Sequence, residues 1–559
     1  MSGGKTKMSR RGFVALAAVG GAGVAVGGWV IGRRIWRPAP PPYMPRRLTP
    51  TELPVRVISD VRQTGYTGDD FTRPHAFLWQ RAQKLVGLGG APDPTERANV
   101  VVVGGGISGL CAAYLLRDLH PVLLEQGAQL GGNSRGEQWG DLRYSIGAAY
   151  ISPPEPGGEI DLFFRQLGIA GELRRSDSSD GGGYVLGGRL HAGFWRGESD
   201  PERAGDFRRV FDVLKRYYDE EYVDIPPGAG QSEALRRLDA ITFEAWVTQK
   251  LGRLHPHVAE AFDLYSWSTY GGTVREISAA QMLYFLSSDV QDVAAFPGGN
   301  SAISQALVRK LETGLPVGSV RSGSLVVEVA PHPEGVTVTY EDAAGTLRTI
   351  LAKKCVVACA KFIAKHIVQG LPAAQLAAMR RLRYRAYIVA NVLLRRRLPV
   401  EAYDCWRLTG ARSRSPREGF AERPFTDLLF AGWAQHDRPS HSGLTLYKAL
   451  AYDGGRAEVL ADGSFAAQKA KFEASIPEIV QMWGATESDV AGVRVTRWGH
   501  ALPLAERGLI SDGIAARACA PVDGRIFFAQ QDNWCSPAFE PAFASAREAA
   551  AALRRSLRG

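Results

Sequence analysis

Hydrophobic residues along this chain fall into runs that alternate between strand-like and helix-like spacing. An uninterrupted apolar run ends at Val103 and passes through a glycine-rich turn into a helical stretch over 107–119. A second apolar run follows at 122–124 and ends at Glu125. Strand, glycine turn, helix and strand in this order are typical of the first unit of a parallel α/β sheet.

Further along, the spacing changes and separates a helical region from a group of strands. Apolar residues recur at helical intervals from about residue 200, which predicts a helical insertion over 181–293. Short alternating runs at 325–329, 336–340 and 350–358 are separated by turn residues and predict an antiparallel meander. From residue 382 onward, strand-like and helix-like patterns mix.

Three glycines stand at the junction of the first strand and the helix, at positions 104, 106 and 109. Gly104 allows a tight exit from the strand, Gly106 lets the backbone approach a phosphate, and Gly109 lets the helix close onto the sheet. Glu125 follows about 20 residues later, where such motifs place a carboxylate that binds ribose hydroxyls. A glycine-rich turn in an ordinary α/β unit is the alternative. The strand and helix around it favour a nucleotide pyrophosphate site, because a helix N-terminus supplies unpaired N–H groups.

Two more motifs follow the acidic residue, LGGNSR over 130–135 and YSIGAAYI over 144–151. Together with the glycine motif, they resemble the flavin-containing amine oxidase and phytoene desaturase superfamily. In that superfamily the acidic strand end is followed by a second glycine pair, an arginine and a G-A step. The resemblance implies FAD rather than NAD as the cofactor.

The resemblance also assigns cofactor-binding roles within these motifs. Gly131 and Gly132 match the second glycine pair, and Gly147 and Ala148 match the G-A step. Arg135 matches the arginine and is expected to contact a phosphate. In the superfamily this arginine directly follows the second glycine, whereas two residues intervene in this chain.

The C-terminal part of the chain supplies an independent match. A buried strand is predicted over 524–529 and a helix with a small-residue face over 540–550. In the resembled superfamily these elements close the FAD domain, which places Asp532 on the ribityl chain and the helix around Ala542 under the flavin. The first strand of the meander is expected to touch the adenine through the backbone of Val326.

The resemblance therefore implies an α/β fold. A Rossmann-like FAD-binding domain, with a parallel sheet and an antiparallel meander, is interrupted by an inserted mixed α+β substrate domain. Residues 35–95 are predicted to form a linker and an N-terminal extension. The FAD-binding domain is predicted at 96–180, 294–370 and 497–559, the helical cap at 181–293 and the substrate domain at 371–496.

The N-terminal segment over 1–34 is predicted to be a targeting signal. Arg10 and Arg11 precede an uncharged stretch rich in glycine and alanine, which resembles a twin-arginine export signal. A membrane anchor is the alternative, since about 20 residues at roughly 1.5 Å each reach across a bilayer core of about 30 Å. The two are compatible. We expect the twin-arginine export machinery as a partner and a location in the periplasm or at the outer face of the inner membrane.

The composition is that of an ordinary globular protein, with 559 residues, 45% of them hydrophobic and 22% charged. The formal net charge of +10 would suggest nucleic acid, but nine of the basic residues lie in the first 50 positions, where no acidic residue occurs. The rest of the chain is almost neutral. Nucleic acid is therefore not an expected partner.

The six cysteines show no C-x-x-C pair, and the ten histidines show no metal-ligand spacing. No metal site is predicted. In the resembled superfamily a covalent flavin cysteine lies in a G-G-C-Y context upstream of the final strand. Cys519 is too close to that strand to match, so the FAD is predicted to be noncovalent.

Few catalytic side chains are needed where a flavin carries the redox step. The resembled amine oxidases place a lysine near the flavin and frame the substrate with two aromatic rings. In the best register the lysine position falls on Ala390 or Asn391, and Lys448 is the candidate substitute.

Three residues near the motif segments are candidates for catalysis. Trp498 and Trp534 are the aromatic candidates, although core packing is the commoner fate of a tryptophan. His500 is a candidate for moving a proton at neutral pH.

These observations predict an exported FAD-dependent oxidoreductase that takes a hydride from a C–N or C–C bond of a small molecule. A desaturase or isomerase of a lipid-soluble substrate is the main alternative. The missing lysine, the RWGHALPLAERG stretch over 497–508 and the apolar N-terminal segment favour it. A flavin-binding protein without turnover is the third hypothesis.

Overall fold

The computed structural model of the protein describes residues 52–87, 90–176, 183–226, 232–290, 292–399 and 403–558. The twin-arginine motif and the apolar stretch predicted for residues 1–34 lie outside these ranges. Within them, no helix combines the length and the apolar character that crossing a bilayer requires.

Strands from all parts of the described chain form four sheets. In chain order the strands are β1 (Val55–Ile58), β2 (Thr67–Gly68), β3 (Glu96–Val103), β4 (Val122–Leu124), β5 (Gly136–Trp139), β6 (Leu142–Ser145), β7 (Arg174–Arg175), β8 (Gly183–Leu186), β9 (Arg189–His191), β10 (Ala294–Ala295), β11 (Val320–Arg321), β12 (Leu325–His332), β13 (Gly335–Glu341), β14 (Leu347–Val357), β15 (Tyr384–Leu394), β16 (Asp404–Arg407), β17 (Asp427–Phe430), β18 (Ser442–Leu450), β19 (Val490–Pro503) and β20 (Ile526–Phe528).

Helices cover the faces of these sheets and connect their strands. The α-helices are Thr72–Gly87, Ile107–Leu115, Glu159–Leu167, Ala204–Arg216, Glu233–Asp239, Phe243–Lys250, Pro256–Tyr270, Ala279–Asp289, Ser301–Gly314, Lys361–Ile367, Ala373–Arg381, Pro416–Glu422, Gly455–Leu460, Ser464–Glu473, Ile476–Met482, Ile514–Ala518 and Phe539–Arg558.

The first large sheet combines a parallel part with an antiparallel part. Strands β11, β4, β3, β14 and β20 run parallel to their neighbours, in that order across the sheet. The long strand β14 also pairs with β13, which pairs with β12, and both of these pairings are antiparallel. The parallel strands therefore come from the N-terminal, middle and C-terminal parts of the chain.

Helix Ile107–Leu115 lies at the centre of the layer against this sheet, between helices Ser301–Gly314 and Phe539–Arg558. Its close packing on the C-terminal helix is possible because Ala546 and Ala549 there are small and buried. The helix is shorter than the predicted stretch over 107–119. His120 adopts a left-handed backbone conformation with φ 51°, which turns the chain into β4.

The second large sheet contains eight strands in the order β2-β19-β15-β18-β17-β16-β8-β9. Strands β8 and β9 come from the region that the sequence predicted to be helical, so this region contributes to the sheet as well as to the helices. Strand β19 continues past the predicted boundary at residue 496. The order of the strands in this sheet is set by pairings between distant segments of the chain, which local periodicity does not reveal.

A buried ion pair connects the eight-stranded sheet to the small sheet of β1, β5 and β6. Arg494 of β19 donates from Nε to Glu137 Oε2 at 2.6 Å and from a terminal nitrogen to Oε1 at 2.7 Å. Tyr144 of β6 donates to the same carboxylate at 2.7 Å. Glu137 is 1% exposed. A paired carboxylate that loses its charge there leaves a buried guanidinium without a counter-ion.

We expect Glu137→Gln to lower the free energy of unfolding by about 3–5 kcal/mol, because the buried Arg494 keeps its charge and loses its partner. Denaturant unfolding followed by circular dichroism measures this change. Glu334→Gln is the matched control, since its ion pair with Arg97 is exposed and should change the free energy by less than about 1 kcal/mol. Equal effects of the two variants would contradict the proposed role of burial.

Candidate active site

The glycine turn after β3 is tightly packed against neighbouring backbone. Gly104 has φ +108°, and a Cβ on it would lie 3.1 Å from the carbonyl oxygen of Ala358. A Cβ on Gly109 would lie 1.8 Å from the carbonyl oxygen of Gly104. Packing therefore excludes a side chain at position 109, where the helix meets the turn.

A second glycine loop closes over the first. The amide of Gly131 donates to the carbonyl oxygen of Gly105 at 2.8 Å. A Cβ on Gly132 would lie 2.9 Å from the Cα of Gly106, so the two loops touch through bare backbone. A Cβ on Gly106 itself would meet only Gly132 Cα at 3.7 Å, which is ordinary contact. The side of Gly106 at the N-terminus of helix Ile107–Leu115 is thus open to a ligand.

Glu125 stands beside this cradle. Its carboxylate accepts hydrogen bonds from the amides of Gly105 and Gly127, each at 2.7 Å. Burial raises the pKa of Glu125 and outweighs these hydrogen bonds and the charge of Arg135. Each carboxylate oxygen keeps a second acceptor position, so ribose hydroxyls can still donate to it.

Arg135 connects the second glycine loop to Trp498. Its guanidinium donates to the carbonyl oxygens of Gly132 and Gly68, both at 2.8 Å, and its Cζ lies 4.6 Å from the centroid of the Trp498 ring. Burial lowers the pKa of Arg135 to about 10. The predicted phosphate contact stays a prediction, because these donors already bind protein acceptors.

A cavity extends from the glycine loops toward the eight-stranded sheet. It begins at Ile107 and Asn133 of the cradle, passes the predicted pair Gly147 and Ala148, and continues to the start of helix Phe539–Arg558. The G-A step is packed against Asn133. A Cβ on Gly147 would lie 2.1 Å from the carbonyl oxygen of Asn133, and the amide of Ala148 donates to that oxygen at 2.9 Å.

The eight-stranded sheet contributes three aromatic rings to the lining of this cavity: Tyr387 of β15, Tyr447 of β18 and Trp498 of β19. The two tyrosine rings lie edge to face, with centroids 5.4 Å apart and planes at 85°. The sequence had singled out Trp498 but neither tyrosine. Tyrosines facing inward on neighbouring strands were the available signal. The sequence does not show that these strands are neighbours, so the two tyrosines could be recognised only from the pairing of β15 with β18.

The positions matched to the family lysine carry no base. Neither Ala390 nor Asn391 lines the cavity, whereas Val389 does. Asn391 is fully buried, donates to the carbonyl oxygen of Ser145 at 3.1 Å and accepts from Thr445 at 2.7 Å. The amide side chain therefore holds strands together.

Lys448 follows Tyr447 on β18 and does not line the cavity. Its ammonium donates to Gln468 at 3.1 Å and lies 5.3 Å from the ring centroid of Phe420. Burial lowers the pKa of Lys448 to about 8. Successive residues of a strand point to opposite faces, so this lysine is not positioned to replace the family lysine.

Two of the residues predicted to be catalytic, Trp534 and His500, do not line this cavity, and their catalytic roles stay predictions. Trp534 donates from its indole nitrogen to Glu548 at 3.3 Å. His500 stacks on Phe362 with ring centroids 3.8 Å apart, and burial lowers its pKa to about 3. A histidine with that pKa stays neutral at physiological pH and does not donate a proton there.

Asp532 lies in the turn after β20, and its carboxylate is bound by protein donors. Its carboxylate is fully buried and accepts from Tyr384 at 2.7 Å and from both the amide and the ammonium of Lys361, at 2.7 and 2.5 Å. The side chain of this turn that lines the cavity belongs to Gln531. The predicted ribityl contact of Asp532 stays a prediction, while Gln531 is the residue next to the open space.

Neither Val326 nor Ala542 lines the cavity. Val326 is the second residue of β12, just before a β-bulge, and Ser324 two residues earlier donates from its amide to the carbonyl oxygen of Glu125. This places the start of the strand beside Glu125, and the adenine contact stays a prediction. Ala542 is 1% exposed within the first turns of the C-terminal helix.

The described residues fit FAD. The cradle offers bare backbone at a helix N-terminus for a pyrophosphate, and Glu125 offers acceptors for ribose hydroxyls. Asn300 lines the cavity, is 2% exposed, and has a side-chain oxygen without a hydrogen-bond partner. A buried acceptor of this kind is expected to receive a donor from a ligand.

We expect Gly106→Ala to lower FAD affinity at least about 10-fold without unfolding the protein, since the added methyl group occupies only the open side of the cradle. The measurement is flavin bound per protein after equilibration with FAD, with circular dichroism as the check on folding. Gly205→Ala, at a helical glycine with open space around it, should retain full flavin. Normal FAD affinity in Gly106→Ala would contradict the cradle assignment.

Sequence comparison connects this geometry to known proteins. The family model of flavin containing amine oxidoreductases matches residues 107–554. Oxidoreductase PigB from a Serratia species is 23% identical over 83% of this chain and 76% of its own length. The L-amino-acid oxidase of Echis ocellatus is 24% identical over 53% of this chain and 59% of its own length.

Solved structures share the fold. Cyclohexylamine oxidase from Brevibacterium oxydans matches with a TM-score of 0.60 at 18% identity, over 83% of this chain and all of that protein. A putrescine oxidase bound to putrescine matches with the same TM-score and coverage at 16% identity. Because the family model spans most of the chain, this protein belongs to the flavin-containing amine oxidoreductases and is an FAD-dependent oxidoreductase.

Proposed function

We propose that this protein oxidises the C–N bond of an amine, with noncovalent FAD held in a Rossmann-like domain. One observation carries the proposal: Ser268, Tyr387, Tyr447 and Trp498 line the cavity and direct their hydrogens to protein acceptors, and the three hydroxyls keep acceptor lone pairs for a ligand. An amine or ammonium group is rich in donors and complements such a cavity. The parallel sheet around the cradle supports the Rossmann-like arrangement.

The first group of acceptors is a chain of hydroxyls that ends at a buried carboxylate. Ser268 donates to Asp427 at 2.8 Å, and Tyr387 lies 2.9 Å from Ser268. A hydroxyl has a single hydrogen, so Tyr387 donates to Ser268 when Asp427 is ionised. Tyr387 and Ser268 both line the cavity and keep lone pairs free to accept from a ligand.

The other aromatic residues direct their hydrogens away in the same manner. Tyr447 donates to the carbonyl oxygen of Gly147 at 2.7 Å, and Trp498 donates to the carbonyl oxygen of Ile146 at 2.8 Å. Both acceptors belong to the segment that carries the G-A step. Tyr447 thus presents a π-face and free lone pairs, which attract a cation.

Several relatives carry names that agree with this proposal. Cyclohexylamine oxidase, putrescine oxidase and L-amino-acid oxidase are among them. A desaturase acting on an apolar polyene remains the second candidate, favoured by the absence of a lysine at Ala390 and Asn391. An acceptor-rich cavity speaks against it, because a polyene would leave these buried acceptors unpaired.

Starting from the substrate ammonium, the reaction requires the loss of one proton from nitrogen and one hydride from carbon, which leaves an iminium ion. Bound FAD supplies the redox chemistry, and dioxygen or a membrane quinone would reoxidise it. The protein itself must take a proton from the substrate ammonium. The chain from Tyr387 through Ser268 to Asp427 can accept it, since burial raises the pKa of Asp427 to about 6. The carboxylate is therefore ionised at neutral pH and ready to bind a proton.

Anaerobic mixing with a panel of amines and polyenes tests the proposal. We expect amines to bleach the visible flavin band and hydrophobic polyenes to leave it unchanged. In Tyr387→Phe the bleaching by an amine should slow by about 10²–10⁴-fold, because the proton path is interrupted. Bleaching by polyenes alone would establish the desaturase instead, and a flavin that no reductant bleaches would establish a protein without turnover.

Export remains a separate proposal that rests on the sequence of residues 1–34. We propose that the twin-arginine machinery exports the folded, FAD-loaded protein and that the uncut segment can hold it at the outer face of the inner membrane. The arginine pair and the uncharged stretch after it support this placement.

Replacing Arg10 and Arg11 with lysines should retain the protein in the cytoplasm, because the export receptor reads the arginine pair. Cell fractionation followed by flavin fluorescence measures this. Lys5→Gln combined with Lys7→Gln is the matched control, since it removes two charges from the same segment and keeps the pair. Undisturbed export of the arginine variant would remove the targeting proposal.

A further inference from the structure

Two carboxylic acids line the catalytic cavity at the end formed by the helices. Asp289 ends helix Ala279–Asp289, and Glu540 lies in the first turn of helix Phe539–Arg558. Tyr265 donates to Asp289 at 2.7 Å, and the amide of Ser152 donates to Glu540 at 2.9 Å. We call Asp289 and Glu540 the acid pair.

Within the described residues, the acid pair has no basic partner. Neither carboxylate forms an ion pair with any described Lys, Arg or His, and the described lining of the cavity contains none of these residue types. Buried Lys361, Arg423 and Arg494, by contrast, each pair with a buried carboxylate elsewhere in the fold. Buried charges in folded proteins are normally paired, so the acid pair lacks a positive charge that a ligand can supply.

The groups that face Asp289 offer no positive charge to compensate it. They are the carboxyls of Asp404 and Glu540, which repel its ionised form, and the hydroxyls of Tyr150, Tyr265, Tyr270 and Tyr284. Asp404 in turn is repelled by Asp427, which ends the hydroxyl chain from the cavity. Among the described residues, this end of the cavity therefore combines several acidic groups with no basic one in a low-dielectric interior.

A buried acceptor without a hydrogen-bond partner gives a second, independent indication that a ligand binds here. The hydroxyl oxygen of Thr269, which lines the cavity next to Ser268, is buried and has no hydrogen-bond partner. Buried polar atoms are nearly always satisfied in folded proteins, so unpaired acceptors beside a cavity indicate a missing donor.

We propose that the substrate is a dication, an aliphatic diamine or polyamine, and that Asp289 and Glu540 bind the ammonium group that is not oxidised. This inference rests on the proposed amine oxidation and adds the class of amine. One nitrogen lies between Tyr387, Tyr447 and the hydroxyl chain, where the bond to carbon is oxidised. The second nitrogen pairs with the carboxylates and supplies the missing positive charge. Asp289 and Glu540 are thus specificity-determining residues and not proton acceptors for the reaction.

Protonation of the acid pair should control this binding. Burial, with the charge of Glu540 as an added cause, raises the pKa of Asp289 to about 7, and burial raises that of Glu540 to about 7. Below this pH the carboxyls are neutral and give up their attraction for an ammonium group. Above it they are ionised, so the affinity for a dication rises as the pH increases through about 7.

Steady-state kinetics of the FAD-loaded protein with cadaverine and with pentylamine tests the proposal, since the two compounds differ only in the second amino group. We expect Asp289→Asn to raise KM for cadaverine by about 10- to 100-fold, as for the loss of a charge-assisted hydrogen bond, and to leave kcat and both constants for pentylamine nearly unchanged. Glu540→Gln should act in the same direction. Both substitutions keep the size of the side chain.

The matched control is Glu548→Gln, eight residues further along the same helix as Glu540, where the carboxylate bonds to Trp534 outside the cavity. It should leave both substrates unaffected. The pH profile gives a second readout. For cadaverine, kcat/KM should rise through about pH 7 in the wild-type protein more steeply than for pentylamine, and Asp289→Asn should reduce that difference, since only Glu540 still titrates there.

The outcomes separate this inference from the proposed function. If pentylamine is as good a substrate as cadaverine and the acid-pair variants change neither, the dication assignment fails while amine oxidation stands. If the variants weaken both substrates equally, the acid pair binds the reacting nitrogen, which also overturns the assignment. If neither amine bleaches the flavin, the proposed function itself has failed.

Discussion

The contact of two bare backbone loops, Gly106 against Gly132, is the constraint on which the rest of this structure depends. It brings the first parallel unit of the α/β sheet against the segment that leads into the cavity. A Cβ on Gly132 would approach the Cα of Gly106 to 2.9 Å, so the loops meet only because Gly132 carries no side chain. The helix N-terminus beside this contact faces open space, and the cavity begins there. The position of the site follows from this approach.

The eight-stranded sheet supplies the polar and aromatic side chains that give the cavity its chemistry. Its strands place Tyr387, Tyr447 and Trp498 around the open space, and each of them uses its hydrogen on a protein acceptor. The helices on the other side contribute Asp289 and Glu540, whose carboxylates pair with no basic residue in the described part of the chain. The pocket on this sheet is therefore rich in hydrogen-bond acceptors. Its polar character arises because the hydroxyl hydrogens of the two tyrosines point toward protein acceptors and not into the pocket.

The sequence revealed those parts of the protein whose signals are local. The glycine cradle, Glu125 and the antiparallel meander each depend on residues close together in the chain, and the structure has strands at β12, β13 and β14 where the alternation predicted them. Trp498 was found because it lies in a recognisable stretch. Trp534 and His500 lie in equally recognisable stretches, yet packing against Glu548 and Phe362 takes them away from the cavity.

The remaining residues of the site depend on pairings that no local pattern encodes. Tyr387 and Tyr447 meet because β15 pairs with β18 in one register, and Asp289 joins them from a helix of a distant segment. Alternation along these strands has a further meaning for how such enzymes diversify. Tyr387 and Val389 face the pocket while Ile388 between them is fully buried in the core. Exchanges at every second position can therefore give rise to new substrate preferences in descendants of this protein, while the intervening layer preserves the scaffold.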